Sequence, residues 1–163
     1  MKKIRICVLL FLCILLVSCE HDLTKAVQQQ FLFDDVPVVV TLGRFLDECR
    51  ITYKDEAYVL SDFSKPEYAD LTVQIEKERV SRSFADISLS SPQTDTEMFL
   101  YLHRLLQFLQ TQQYHYRDAE HQEDLCFTFS FEGKTAKVTV DKNGNLKSIH
   151  SEWLLMKIQE GND

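Results

Sequence analysis

The chain has 163 residues, of which 45% are hydrophobic and 26% charged, with a formal net charge of −7. That acidic excess argues against nucleic acid, whose phosphates require clustered Lys and Arg, and against lying flat on anionic lipid. The chain's four glycines, Gly43, Gly133, Gly144 and Gly161, are too few and wrongly spaced for a P-loop, a dinucleotide fingerprint or a Gly-x-Ser-x-Gly elbow.

Lys2, Lys3 and Arg5 open the chain, and an unbroken apolar run follows from Ile6 to Val17. A membrane-crossing helix needs roughly twenty apolar residues for a bilayer core of about 30 Å. The run is shorter than that and has the proportions of a secretory leader, with the positive flank held on the cytoplasmic side. Its end, Leu16-Val17-Ser18-Cys19, resembles the lipobox of bacterial lipoproteins: a branched aliphatic residue, a tolerant position, a small residue and a cysteine. The resemblance covers the leader alone. It implies a signal peptide at 1–18, cleavage before Cys19 and attachment of lipid, including palmitate, to the Cys19 thiol. Two or three acyl chains then give a permanent anchor, where one would hold only marginally. Cleavage after Cys19 and an uncut leader are the competing readings. Glu20 follows the cysteine where inner-membrane retention in enteric bacteria would favour Asp, so the expected address is the outer membrane facing the periplasm, ahead of the plasma membrane.

Without the leader's three cations, 15 basic groups face 25 acidic ones, a net charge of about −10. Residues 19–30 are expected to be a lipidated N-terminus and short polar tether, and residues 31–163 one domain, large enough to bury roughly two-thirds of its unfolded surface. Cys7 and Cys13 leave with the leader. Cys49 and Cys126 remain, either as a disulfide in an oxidising compartment or as two small buried hydrophobes.

Along the chain, Phe31 to Val40 reads as an edge strand or an extended entry segment, because Pro37 cannot donate to a central ladder. Leu42, Phe45, Leu46 and Cys49 follow the i, i+3, i+4, i+7 spacing of a short helix. Ile51 to Leu60 reads as strand with a turn at Lys54-Asp55-Glu56. Leu71, Val73 and Ile75 alternate with polar residues as in a half-buried strand, and Val80 to Leu89 is another. After a loop containing Pro92, Thr94 and Glu97 fit a capping box. Met98, Leu102, Leu105 and Leu109 then form the stripe of an amphipathic helix ending near Gln113. A β-meander closes the chain. Phe127, Phe129 and Phe131 share one face, Glu132-Gly133-Lys134 is a turn, Ala136, Val138 and Val140 alternate, and Asn143-Gly144 signals a type I′ hairpin. Leu146 to Ile158 returns as a strand carrying Trp153, which with Leu154, Leu155 and Met156 is read as core ahead of an exposed contact patch. The predicted fold class is α+β: an antiparallel sheet with this C-terminal meander packed against one main amphipathic helix.

Candidate chemistry is sparse. His115, Asp118, Glu120, His121, Glu123 and Asp124 crowd one polar segment whose donors suit zinc, but no ligand spacing is matched and a solvated loop accounts for them equally. Asp141, Asn143, Asn145 and Glu152 fall at calcium-loop positions 1, 3, 5 and 12, with Leu146 where the turn needs glycine. His103 reads as a surface or boundary residue, and His150 shares a strand face with Glu152. No cofactor, metal site or catalytic residue is written into the chain. The expected role is a binding, accessory or assembly factor tethered to the membrane and working on an envelope protein. The alternatives are an envelope hydrolase or metal enzyme using His115–Asp124, and an inhibitor or immunity lipoprotein.

Overall fold

Period-two alternation of apolar and polar residues governs most of the folded chain, and such a pattern buries one face of a sheet. A computed structural model describes residues 20–84, 87–90, 96–117 and 123–159. The elements are β1 (Glu20–Asp22), α1 (Thr24–Gln30), β2 (Val36–Leu42), β3 (Phe45–Lys54), β4 (Ala57–Ser61), a 3₁₀ turn (Pro66–Tyr68), β5 (Leu71–Ile75), β6 (Val80–Phe84), β7 (Ile87–Ser90), α2 (Thr96–Gln110), β8 (His115–Arg117), β9 (Asp124–Phe131), β10 (Lys134–Asp141), β11 (Leu146–His150) and β12 (Leu154–Ile158). The fold is α+β.

Ten strands form one antiparallel sheet in the order β7-β6-β5-β4-β3-β2-β12-β11-β10-β9, and β1 pairs with β8 in a separate ribbon. Each neighbouring pair but one is joined directly in sequence. The exception is β2 with β12, where the first six-strand meander meets the last four strands and closes residues 36–158 into one unit.

The sheet must wrap around α2. Phe99 lies beneath the Arg82 guanidinium of β6, 5.3 Å from its ring centroid, while Tyr101, two residues on, packs against Phe131 of β9 at 5.6 Å. Those strands are eight spacings apart in the sheet order, about 38 Å if it were flat. One helix turn reaches both only because the sheet curls. Its concave face and α2 share the core, where Val38, Val40, Ile51, Leu60, Val73, Ile75, Val138, Val140, Ile149 and Met156 meet Leu102, Leu105, Leu106 and Leu109, all fully buried.

The structure corrects several expectations. The spacing Leu42, Phe45, Leu46, Cys49 is not helical: Gly43 (φ 61) and Arg44 turn β2 into β3, and Phe45, Asp47, Cys49 and Ile51 alternate onto the concave face. The polar Asp47 concealed that alternation. The strand carrying Pro37 is central, between β3 and β12. Proline is accommodated because it stands second in β2, beyond the last β12 pair at Val38–Ile158, and its carbonyl still accepts from the Gln159 amide at 3.0 Å. Val80 to Leu89 divides into β6 and β7, and Leu146 to Ile158 into β11 and β12. Trp153 stands in the latter turn at 43% exposure, not in the core. The type I′ signature also moves. Asn143 keeps negative φ and Gly144 takes φ 86, closing a three-residue loop in which the Gly144 amide donates to the Asp141 carbonyl. Positive φ at both centres occurs instead at Asp55 (51°) and Glu56 (62°). Thr94, the expected cap of α2, lies outside the described residues.

Residues 20–30 carry β1 and α1 and are joined to the rest of the domain. Glu20, His21 and Asp22 pair with Arg117, Tyr116 and His115. The Leu23 amide donates to the Tyr114 carbonyl (2.9 Å), the Tyr114 amide to the Thr24 hydroxyl (2.9 Å), and the Gln28 side chain to the Gln112 carbonyl (2.9 Å). Val27 is fully buried. The β10–β11 turn lies against α1 so closely that a Cβ on Gly144 would stand 2.8 Å from that of Ala26, whereas a Cβ on Gly133 meets open space. Gly144→Ala therefore suffers both backbone strain and overlap and should cost about 2–4 kcal/mol, against about 1 kcal/mol for Gly133→Ala. Urea unfolding of the two variants measures the difference.

Candidate functional site

Two concavities flank α2, and each is built by strand alternation. The first lies at the N-terminal end of the helix. Cross-strand pairs Leu71–Phe84 and Val73–Arg82 point to the concave side, and Phe45 arrives there as the first residue of β3. Pro66 starts the 3₁₀ turn that brings in Tyr68, with the Lys65 ammonium donating to the Leu46 carbonyl. These residues and Phe99 line a cavity of about 230 Å³. Phe45 packs edge-on against Phe63 (5.7 Å) and Phe99 (6.0 Å), and tilted against Tyr68 (6.1 Å). Phe84 remains 36% exposed at the rim. Such a hollow accepts an apolar group, with the Arg82 guanidinium at one side over the Phe99 ring.

Asp47 follows Phe45 on the same face and is 3% exposed. One carboxylate oxygen accepts from the Ser64 hydroxyl (2.6 Å) and the Glu48 amide (2.8 Å), while the other is buried without a partner. Burial, aided by the Asp47 charge, pushes the neighbouring Cys49 thiol up to about 12.

The second concavity, about 470 Å³, is lined by Tyr53, Glu56, Lys77, His103, Arg104 and Gln107. His103 is buried here, at 5% exposure, rather than at the surface. Its Nε2 is 3.3 Å from the Glu56 carbonyl and its ring stands edge-on to Tyr58 at 5.5 Å. Gln107 donates to the Tyr53 hydroxyl (3.3 Å), and Arg104 is paired with Glu132 (2.8 Å). The buried Tyr58 hydroxyl has no partner, and desolvation drives its pKa upward. A histidine held between a backbone carbonyl and an aromatic ring has the surroundings of a packing residue.

The residues singled out from sequence are scattered. His115 joins Asp22 across the β1–β8 ribbon at 3.7 Å, and Thr24 holds the Asp22 carboxyl below its usual range. Asp124 opens β9 and pairs with Lys147 at 2.6 Å. Asp118, Glu120 and His121 lie outside the described residues. Among the described residues no three His, Cys, Asp or Glu side chains are grouped to hold a metal. In the calcium-like segment both Asp141 oxygens are engaged, one by the Asn143 and Asn145 amides and the other by the Asn145 side chain, and Glu152 pairs with Lys134. Cys19 precedes the first described residue. No sequence signal marked the aromatic hollow, because its members come from five separate elements.

Cys49 and Cys126 are both free, the first buried and the second exposed. A disulfide needs Cα atoms within about 7 Å and Cβ vectors that converge, whereas Cys49 turns into the core from β3 and Cys126 is exposed on β9.

Comparison with family models, curated proteins and solved structures finds no match to this chain.

The thiols carry a prediction. In a chain beginning at Glu20, Cys126 should react promptly with a thiol reagent and Cys49 only after denaturation. The raised Cys49 pKa adds stability that is complete below pH 9, where the unfolded thiol still holds its proton. That stability is lost as pH rises from about 9 to 12. Urea titrations at pH 7 and pH 10, compared with those of Cys49→Ala, register this as a loss larger in the wild type than in the variant.

Proposed function

We propose that the protein is a bacterial envelope lipoprotein, anchored through lipid on Cys19 in the outer membrane facing the periplasm. Its domain serves as a binding factor, accessory to or assembling with another envelope protein. The leader supports the address through Leu16-Val17-Ser18-Cys19 and the positive residues ahead of the apolar run. Among the described residues no helix is long and apolar enough to cross a membrane. The binding role is carried by one observation: the aromatic hollow of Phe45, Tyr68, Phe84 and Phe99, open at a rim where Phe84 is partly bare. An aromatic-lined recess with one cation beside it is the anatomy of a site that receives a partner's apolar anchor. In this reading α2 is the main amphipathic helix, positioning Phe99 in the hollow while its buried stripe holds the sheet. The remaining surface is acidic and suits a basic or neutral partner.

Two measurements test the reading. Labelled palmitate should enter the wild type and not Cys19→Ala, with the native mass starting at Cys19. A photocrosslinking residue at Phe84 should yield a discrete adduct in intact cells, while one at Glu48, exposed on β3, should not. Equal patterns from both sites would refute recognition at the hollow.

A further inference from the structure

The β1–β8 ribbon and the hollow lie at opposite ends of α2. Glu20 is already β-paired with Arg117, and consecutive Cα atoms are about 3.8 Å apart, so the residue of the proposed anchor immediately precedes a paired strand in sequence. The β1–β8 ribbon, the Leu23–Tyr114 and Tyr114–Thr24 hydrogen bonds and the Gln28–Gln112 contact join that point to the C-terminal end of α2. The Tyr114 hydroxyl also donates to the Leu109 carbonyl at 2.8 Å. At the other end of the helix, Phe99 lines the hollow, Met98 lies against Gly43, and the Gly43 amide donates to the Trp153 carbonyl at 3.0 Å.

Two independent rulers give the separation. From Met98 to Gln110 the helix rises about 18 Å. Gly144, against Ala26 at the ribbon end, leads through the five residues of β11 towards Trp153, a strand length of about 17 Å. Helix and sheet therefore measure the same body from anchor end to hollow end.

The geometry points to the β1–β8 ribbon as a rigid mount, by which an acylated Cys19 seats the α1 end of the domain on the lipid surface and holds the aromatic hollow at the far end, away from it. The inference rests on the lipid-anchor reading above. Orientation here comes from hydrogen bonds between the anchor segment and the core. Electrostatic attraction contributes little, since the mature chain carries about −10 and anionic headgroups would repel it. The partner is accordingly one that approaches from the aqueous side.

Trp153, the one tryptophan of the chain, is a native probe of the far end. The acylated full-length mature protein, its lipid verified by mass, is reconstituted into vesicles carrying headgroup-region spin-labelled lipid. Emission from Trp153 should be almost unquenched. Emission from a tryptophan placed on α1, as Lys25→Trp or independently Gln29→Trp in a Trp153→Phe background, should be quenched several-fold more. A flexible Gly/Ser insert of about ten residues between Cys19 and Glu20, reaching about 17 Å, should abolish that contrast. Equal quenching at the two ends of the acylated protein, or a contrast that survives the insert, overturns the mount while leaving the anchor standing. A purified protein without acyl mass overturns the anchor and the mount together.

Discussion

The curl of a ten-stranded sheet around one helix is the constraint from which the rest of the structure follows. A flat sheet would leave one apolar face bare, and α2, with fifteen residues, could cover only a fraction of it. Curling lets a single helix meet β3, β4, β6 and β9 together, through Phe99, His103, Tyr101 and Phe108. The curl also makes the hollow. Where the helix begins, beside its first turn, Phe45, Tyr68 and Phe84 stand around a space that α2 does not fill.

Closure of this kind places long-range demands on short segments, which explains what could and could not be read from the sequence. The strands at Leu71–Ile75 and at Leu125–Val140, and the turn at Asp55-Glu56, were legible because their patterning is local: alternation bounded by turn residues. Residues 42–49 were misread because a helical spacing of four apolar residues coincided with a strand in which Asp47 interrupts the apolar face. Only pairing with β2 across Gly43 decides between the two periods. Pro37 misled for a related reason. Its missing donor matters only if a partner strand extends beyond it, and the length of β12 is not visible from residue 37. Trp153 was assigned to the core by its type, but hairpin geometry placed it in a turn, between Tyr101 on one side and the Lys134 ammonium on the other.

The hollow was illegible for a deeper reason. Its residues lie on β3, the 3₁₀ turn, β5, β6 and α2, and none carries a spacing that signals chemistry. Sequence reasoning detects donors and nucleophiles at fixed intervals, whereas a recess for an apolar group is a property of shape. Of the polar segment His115–Asp124, whose composition is suggestive, the described ends take part in architecture: His115 pairs across the ribbon and Asp124 joins β9 to Lys147.

Exposed apolar side chains occur at both ends of the molecule, Leu32 just past α1 among them at 46% exposure, but the hydrogen bonding around the two ends differs. Around the N-terminal end of α2 stand a partly bare Phe84, an exposed Trp153 and the Asp47 oxygen that has lost water and gained no donor, the last costing about 1–3 kcal/mol by itself. At the other end the backbone groups of Leu23 and Tyr114, the Thr24 hydroxyl, the Tyr114 hydroxyl and the Gln28 amide are all paired, and Val27 is sealed. Filling the hollow would cover the exposed aromatic surface, which supplies a driving force for association without any new element of structure. A firmly joined ribbon end would let that association take place without loosening the attachment beneath it.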